Sequence, residues 1–128
     1  MGESSPLSDD AYETLGRLYQ GDPDDHIESL QRLGPDDTTT ATQHAVFKAL
    51  ANEDRLRILS VLRDAECCVC ELQVVLEAPQ STVATHLRTL RAAGLVTSRK
   101  KGKWSYYRVA DTAVFELLDL AASIDIED

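Results

Sequence analysis

Hydrophobic residues recur every three or four positions along most of the chain, which is the spacing of one face of an α-helix. Ser, Asp or Asn residues that can cap a helix precede several of these runs, and Gly or Pro residues follow them. A linker is predicted at residues 36–40. Helices are predicted at residues 8–20, 22–33, 40–51, 53–62, 70–76, 80–93 and 112–124.

The pattern changes after Gly94, which is predicted to end the sixth helix. Residues 95–97 and 105–109 are rich in β-branched and aromatic side chains and predict two strands, with the basic run 100–103 between them. A short helix, a turn, a helix with a polar outer face and a two-stranded ribbon predict a winged helix-turn-helix. The predicted fold class is therefore mainly α with a small β-wing.

Two parts are predicted along the chain. Residues 1–37 form an acidic N-terminal helical extension, whose short helices could not stand alone in water. Residues 38–128 form the winged helix-turn-helix DNA-binding domain, which includes the C-terminal helix.

The C-terminal helix carries a second apolar stripe after the small core is already closed. Because a two-fold operator calls for a two-fold protein, we predict that this stripe joins two copies of the chain, together with a face of the first helix. Packing of the stripe onto the chain's own core is the alternative. The predicted interface comprises Leu15, Leu18, Tyr19, Val114, Leu117, Leu118 and Ala121.

Charge indicates what the polar face of the sixth helix binds. Residues 79–109 contain seven basic residues and no acidic one, in a chain with 13 basic and 22 acidic residues. An acidic chain is repelled by DNA overall, so a local basic surface predicts double-stranded DNA as the partner. A solvated charged face and a winged helix that binds protein are the alternatives. The predicted DNA contacts are Ser81, Thr82, Thr85, His86, Arg88, Arg91, Lys100, Lys101 and Lys103.

The remaining composition narrows the class of protein. Asp outnumbers Glu and Arg outnumbers Lys, which favours the acidic surface of salt-adapted microbes over an ordinary acidic protein. There is neither an apolar run of about 18 residues nor a leader-like start, so we expect a cytoplasmic protein without a membrane partner. Because the motifs of phosphate loops, zinc proteases and nucleophile elbows are missing, we expect no enzymatic activity.

Three cysteines, Cys67, Cys68 and Cys70, lie within four residues. In a cytoplasmic chain this odd cluster predicts a metal or redox site and not a disulfide framework. Soft thiolates select soft ions such as As(III), Sb(III), Cd(II) and Pb(II), and three thiolates favour As(III). A thiol redox switch and three small buried hydrophobes are the alternatives.

The spacing of Cys68 and Cys70 has a mechanical consequence. Residues two apart on a regular helix point about 200° away from each other. Both thiolates can therefore hold one ion only if the first turn is distorted, or if Cys68 lies in the turn before the helix.

The runs FKALANEDRLRILSVL, ECCVCELQVVL and QSTVATHLRTLRAAGLVTSRKKGKWSYYRV resemble the ArsR/SmtB family of winged-helix repressors over roughly residues 43–121. The resemblance implies a homodimer, without an obligatory cofactor, that binds operator DNA until a metal ion, metalloid or oxidant reaches it. In members that respond to arsenic, antimony, cadmium or lead, the thiolate site is Cys-Val-Cys followed by an acidic residue. Residues 68–71 of this chain have this sequence, Cys-Val-Cys-Glu.

Several positions depart from the family pattern. The third cysteine of the arsenic type is replaced by Gln73, and Cys67 is the only local substitute. Cadmium-type members use a cysteine from the N-terminal arm, and this arm has none. Zinc-type members use histidines on the last helix, and residues 111–128 contain none. In the recognition helix, Ala84 stands where the family often has Ser. The resemblance therefore also allows a redox- or persulfide-responsive repressor, or a family member with no inducer.

Overall fold

The computed structural model of the chain describes residues 8–34 and 36–126. It confirms the predicted fold class, since helices dominate and a small antiparallel sheet is present. None of the described helices is both long and apolar enough to cross a membrane. In chain order, the elements of the described residues are α1 (Asp9–Leu18), α2 (Pro23–Gln31), α3 (Asp37–Leu50), α4 (Glu53–Leu62), β1 (Cys67–Cys68), α5 (Val69–Leu76), α6 (Gln80–Ala92), β2 (Val96–Lys101), β3 (Trp104–Val109) and α7 (Ala113–Ala122).

Contacts divide the described residues into two compact units, one ending at Thr39 and one beginning at Thr40. The first unit contains α1 and α2, and a polar side chain caps the start of each helix. Ser8 Oγ accepts a hydrogen bond from the Ala11 N–H at 3.2 Å, and Asp22 Oδ1 accepts one from the Asp24 N–H at 3.0 Å. Neither helix contains a fully buried residue. These two short helices therefore hold no apolar core of their own.

The linker predicted at residues 36–40 is wrong for most of its length, because α3 already begins at Asp37. Asp36 Oδ1 accepts a hydrogen bond from the Thr39 N–H at 2.8 Å, and this bond holds the pKa of the Asp36 carboxyl below its ordinary value. Asp36 thus satisfies an N–H group at the start of the helix. The division between the two units falls in this first turn, two residues after the predicted boundary.

The hydrophobic core lies in the second unit and is built from the predicted stripes. Ile58 and Leu59 of α4, Leu72 of α5, and Leu87 and Leu90 of α6 are fully buried. Because these positions recur at helical spacing, each helix keeps its opposite face for solvent or for a partner. In this way α6 buries its apolar side and presents the polar side on which DNA contacts are predicted.

The turn after α6 directs the chain into the wing. Gly94 adopts φ +76°, the Leu95 N–H donates to the Leu90 carbonyl at 2.9 Å, and the Gly94 N–H donates to the Arg91 carbonyl at 3.0 Å. These two bonds are those of a Schellman motif, which favours glycine at the left-handed position. The predicted end of the helix at Gly94 is confirmed.

The wing is a hairpin of β2 and β3 around a two-residue turn. Lys101 pairs with Trp104, and Gly102 in the turn adopts φ +66°. The strands are longer than predicted, so Lys100 and Lys101 belong to β2 and only Gly102 and Lys103 form the tip.

The cysteine segment forms a third strand of this sheet. The strand order is β1-β3-β2, with Cys67 paired to Tyr107 and Cys68 paired to Tyr106. A two-residue strand is too short to show any periodicity, so the hydrophobic pattern predicts no strand here. The pairing attaches the cysteines to the central strand of the wing.

One face of α7 packs onto the core of the second unit. Just before the helix, Asp111 Oδ1 accepts a hydrogen bond from the Ala113 N–H at 2.8 Å. Val114 is buried in the core, and Leu117 and Leu118 are partly buried against it. Val114 therefore has little side-chain surface left for the predicted dimer interface, and for this residue the alternative of packing within the chain holds.

Arg63 fixes α7 against the end of α4. Its Nη1 and Nη2 atoms lie 3.0 and 2.6 Å from Oδ1 and Oδ2 of Asp119, and its guanidinium carbon lies 4.9 Å from the centre of the Phe115 ring. The hydrogen bonds from Arg63 hold the pKa of the Asp119 carboxyl below its ordinary value. This bidentate pair links α7 to the end of α4 at the surface, beside the core contacts of Val114.

Candidate nucleic-acid interface and thiol site

Two threonines of α6 donate their hydroxyl protons to carbonyl groups within the helix. Thr85 Oγ1 donates to the Ser81 carbonyl at 2.9 Å, and Thr89 Oγ1 donates to the Thr85 carbonyl at 3.1 Å. Ser81 and Thr85 are exposed, and Thr82 is half-buried. The Thr85 hydroxyl keeps its lone pairs, so in this arrangement it can accept hydrogen bonds from base amino groups but not donate to them.

His86 lies at the edge of this polar face, against α4. Its side chain is 13% exposed, with Nε2 3.8 Å from Asp54 Oδ2 and Nδ1 3.3 Å from Arg55 Nη1. Its predicted place near base edges is therefore not supported. The physical reason is its position around the helix. His86 lies next to the apolar stripe of Val83 and Leu90, so its ring faces α4 and not the solvent.

Two exposed arginines of α6 border a recess next to the wing. Arg88 and Arg91 line this recess of about 200 Å³ together with Ala84, Leu87 and Tyr107 of β3. Neither arginine forms an ion pair with a described residue. Both guanidinium groups are therefore available to an external anion such as a phosphate of DNA.

The wing presents three lysines. Lys100, Lys101 and Lys103 are exposed, and none of them is ion-paired within the described part of the chain. Lys101 Nζ lies 5.5 Å from the centre of the Tyr106 ring. This contact favours a position of Lys101 over the sheet near β3.

Trp104 is a surface residue of the wing that the sequence-based list of contacts omits. It is 55% exposed and stands opposite Lys101 in the hairpin. The available signal was its position, since the only tryptophan of the chain directly follows the basic run 100–103. A large amphipathic side chain exposed among cations is typical of a surface that meets a ligand.

Arg99 differs from the other cations of the wing because it is paired. Its Nε donates to Glu66 Oε1 at 3.0 Å and its Nη2 donates to Glu66 Oε2 at 2.7 Å. These bonds hold the pKa of the Glu66 carboxyl below its ordinary value. The partners are 33 residues apart in sequence, so the pattern of a single sequence does not reveal the pair.

Cys67 is the least accessible of the three cysteines. It is 6% exposed within the core, its Sγ–H donates to the Ala65 carbonyl at 3.7 Å, and burial raises the pKa of its thiol. A raised pKa favours the thiol over the thiolate that binds metal. Cys67 is thus poorly suited to ligate an ion in this conformation.

Cys68 and Cys70 stand at the start of α5 in different environments. Cys68 is the N-cap residue, with φ −88° and ψ 171°, and its N–H donates to Glu71 Oε1 at 2.9 Å. Its side chain is buried, whereas Cys70, the second residue of the helix, is exposed. Because Cys68 lies outside the helix, the helical angle between these two cysteines does not forbid a shared ion.

The three thiols do not form a ready-made site. Among the described residues, no group of three or more His, Cys, Asp or Glu side chains is arranged to hold a metal ion. Cys67 and Cys68 are neighbours in β1, and consecutive side chains of a strand point to opposite faces. Bringing all three sulfurs to one ion therefore requires β1 to separate from β3.

The predicted dimer residues divide by exposure. On α7, Leu117 and Leu118 are half-buried against the core, and Ala121 is exposed. Exposed large apolar side chains on and after this helix are Leu120 (66%), Ile124 (68%) and Ile126 (85%). In the first unit, Leu18 is exposed, and Leu15 and Tyr19 are half-buried.

Comparison with known proteins identifies the family. The pattern of the bacterial regulatory proteins of the arsR family matches residues 52–98, from α4 into β2. The chain is 44% identical over 73 residues to the arsenical resistance operon repressor of Bacillus subtilis, a match that covers 56% of this chain and 70% of that protein. The chain belongs to the ArsR family. The resemblance that its sequence motifs suggest is thereby confirmed.

This ArsR-family regulator shares its fold with DNA-binding domains. It aligns with the homodimeric winged helix-turn-helix DNA-binding domain Mb0332 from Mycobacterium bovis at a TM-score of 0.61 and 33% identity, covering 70% of this chain and 88% of that one. The expectation of a regulator rather than an enzyme is confirmed by the family.

A second relative of this ArsR-family regulator is the arsenic resistance transcriptional regulator ArsR1 of Pseudomonas putida. The two are 46% identical over 69 residues, which covers 53% of this chain and 54% of that protein. The chain thus matches about half the length of this relative.

Proposed function

We propose that this protein is a homodimeric repressor that binds operator DNA through α6 and the wing and leaves it when a soft ion binds Cys68 and Cys70. One observation carries the proposal: a pair of cysteines, one of them exposed, starts the helix that packs directly on α6. The polar face of α6 and the adjoining wing are basic and contain no acidic residue. An ion at the cysteines can therefore act on the DNA-binding surface over a short distance.

In the proposed DNA complex, Arg88, Arg91 and the wing lysines contact phosphates, while Ser81, Thr82 and Thr85 lie near base edges. Long cations that are not ion-paired suit phosphates, and small hydroxyl groups suit the edges of bases in a major groove. His86 is assigned a supporting role, since it joins α6 to the start of α4.

Lys101→Ala is expected to weaken binding to all DNA sequences alike and to reduce the slope of log affinity against log salt by about one unit. The reason is the loss of one cation that releases a counterion from DNA on binding. Fluorescence anisotropy with operator and unrelated duplexes over a range of salt concentrations measures both quantities. Lys48→Ala is the matched control, because Lys48 is the only lysine of the chain outside the wing. An unchanged slope for Lys101→Ala would remove this residue from the interface.

The inducer that we favour is As(III) or Sb(III), followed by Cd(II) or Pb(II). Thiolates select these soft ions over hard ones. The arsenical resistance repressors among the relatives support the choice of a metalloid. Cys68 and Cys70 supply two sulfurs, and Cys67 can supply a third only if β1 leaves the sheet.

Titration of the operator complex tests the inducer. Arsenite or antimonite is expected to release the operator at lower concentration than cadmium, whereas zinc is expected to have no effect. A redox or persulfide switch is the second candidate, and the exposed thiol of Cys70 favours it over the remaining alternatives. If the protein stays on its operator in the presence of all of these ions but leaves it with peroxide or persulfide, the ion-responsive function is wrong. The redox or persulfide switch then takes its place.

The proposed dimer uses the exposed apolar side of α7, together with the Leu15, Leu18 and Tyr19 face of α1. Leu120 and Ile124 leave apolar surface in water, and on another side of α7 a recess of about 400 Å³ is lined in part by Leu56, Phe115 and Leu118. Apolar surface of this kind favours association. The homodimeric state of the Mb0332 domain supports the same arrangement.

A further inference from the structure

The residue before the cysteine strand is bound to the wing by its side chain. Both carboxylate oxygens of Glu66 accept hydrogen bonds from Arg99 of β2, at 3.0 and 2.7 Å. A bidentate pair of this type fixes the relative orientation of its partners as well as their separation. We name this contact the Glu66–Arg99 bridge.

The bridge spans the central strand of the sheet. Because the strand order is β1-β3-β2, the cysteine strand and β2 are not neighbours, and β3 lies between them. Tyr106 of β3 pairs with Cys68 on one side and with Arg99 on the other. Neighbouring strands lie about 4.8 Å apart, so two long side chains are needed to cover the distance from β1 to β2. The bridge and the backbone pairing therefore join the cysteine segment to the wing in parallel.

We propose that the Glu66–Arg99 bridge transmits ion binding at the cysteines to the wing, so that release of DNA involves the wing as well as α6. This proposal rests on the proposed function. It makes Glu66 and Arg99 positioning residues, since neither is assigned a contact with the ion or with DNA.

The movement follows from where the two sulfurs lie. Cys68 is 9% exposed, whereas Cys70 is exposed, so one ion can be held by both only if the Cys68 side chain is drawn outwards. Glu66 is two residues away, on the segment that leads into β1, and must shift with the backbone. A bidentate ion pair tolerates little rotation. Either Arg99 follows and carries β2 with it, or the pair breaks and the wing loses one of its attachments.

Two substitutions in the full chain test the bridge. Glu66→Gln removes the charge and keeps the shape, while Arg99→Lys keeps the charge and removes the bidentate geometry. Glu28→Gln is the matched control, because it removes one carboxylate from the exposed Glu28–Arg32 ion pair in α2. For each protein, operator affinity is measured without ion and with sodium arsenite or cadmium chloride, and the ratio of the two affinities is the coupling.

A second readout needs no DNA. Trp104 is the only tryptophan of the chain and lies in the wing beside the tip, so its fluorescence reports on the wing in the free protein. Arsenite or cadmium is expected to change this fluorescence in the wild type and in Glu28→Gln, and to change it much less in Glu66→Gln and Arg99→Lys.

Allosteric ratios are typically about 5- to 150-fold, and we expect both bridge variants to reduce the wild-type ratio by at least about threefold. Their ion-free affinities should stay within about threefold of the wild type, since the backbone pairing still holds the wing. Equal ratios and equal Trp104 responses in wild type and variants would overturn the bridge and leave the proposed function intact. Collapse of ion-free binding would also overturn it, because the pair would then serve only to fold the wing. If no ion releases the wild type, the proposed function fails, and the bridge fails with it.

Discussion

Cys70→Ser is expected to abolish the release of operator by arsenite or cadmium while leaving the ion-free affinity within about twofold of the wild type. Cys70 is exposed, so its replacement by the smaller serine removes no core packing. A serine hydroxyl is a hard, protonated oxygen that does not replace a thiolate for a soft ion. The ratio of affinities without and with ion, typically about 5- to 150-fold for an allosteric regulator, should therefore fall to about one. Anisotropy of labelled operator measures it directly.

Cys67→Ser serves as the discriminating variant beside it. Loss of the arsenite response with retention of the cadmium response would support three sulfurs on As(III), and would mean that β1 opens when the ion binds. No effect on either ion would mean a two-sulfur site completed by water or a carboxylate. Glu71 is the nearest such group in sequence outside the Glu66–Arg99 bridge, and its Oε1 accepts a hydrogen bond from the Cys68 N–H. A wild-type response in Cys70→Ser itself would exclude the cysteine pair as the sensor.

Thermal melting must accompany the Cys67→Ser titration. The Cys67 thiol lies in the core, where a serine hydroxyl without a good hydrogen-bond partner lowers the stability of the fold by about 1–3 kcal/mol. If Cys67→Ser melts at a lower temperature and responds to ions as the wild type does, Cys67 serves in packing and not in ion binding. This control separates the structural role of Cys67 from a role in sensing.

The parts of the fold that repeat at helical spacing were predictable from the sequence. The stripes of α4 and α6 recur over several turns, and Asn52, Asp22 and Gly94 mark helix ends by local chemistry. Such features depend on neighbouring residues alone. They are sufficient to place the recognition helix and the wing.

The errors concern short or long-range features. A two-residue strand such as β1 has no period, and its partner β3 is almost forty residues away. His86 lies at the border of two helical faces, where a small rotation decides between DNA and α4. The apolar stripe of α7 is wide enough to pack both on the core of the same chain and on a partner chain. The hydrophobic pattern therefore could not show that Val114 belongs to the core.

The candidate site was predictable in its residue types and less so in its arrangement. A basic run without acids and three clustered cysteines are compositional signals that one sequence reveals. Burial of Cys67, the cap position of Cys68 and the pairing of Arg99 with Glu66 depend on contacts across the sheet. These contacts decide which thiols an ion can reach and which cation of the wing is already neutralised.

Leu120→Asp is expected to convert the proposed dimer to monomers and to lower operator affinity by at least about 100-fold, since two linked half-site contacts typically gain about 10²- to 10⁴-fold over one. Leu120 is 66% exposed on α7, so a charge there leaves the core of the single chain untouched. Leu118 is a poorer choice, because it packs against that core and its replacement would confuse unfolding with dissociation. Sedimentation velocity at micromolar protein and anisotropy on the operator measure the two effects.

Thr112→Asp is the control for the added charge. It places the same carboxylate at the exposed start of α7, where a negative group suits the helix dipole. This variant should remain dimeric with unchanged melting and operator affinity, and Leu120→Asp should melt as the wild-type monomer does on dilution. Dimers in Leu120→Asp at micromolar concentration would place the interface elsewhere, with the Leu18 face of α1 as the next surface to test. A wild type that sediments as a monomer at that concentration would remove the dimer from the proposed function, because a single recognition helix would then have to read the operator alone.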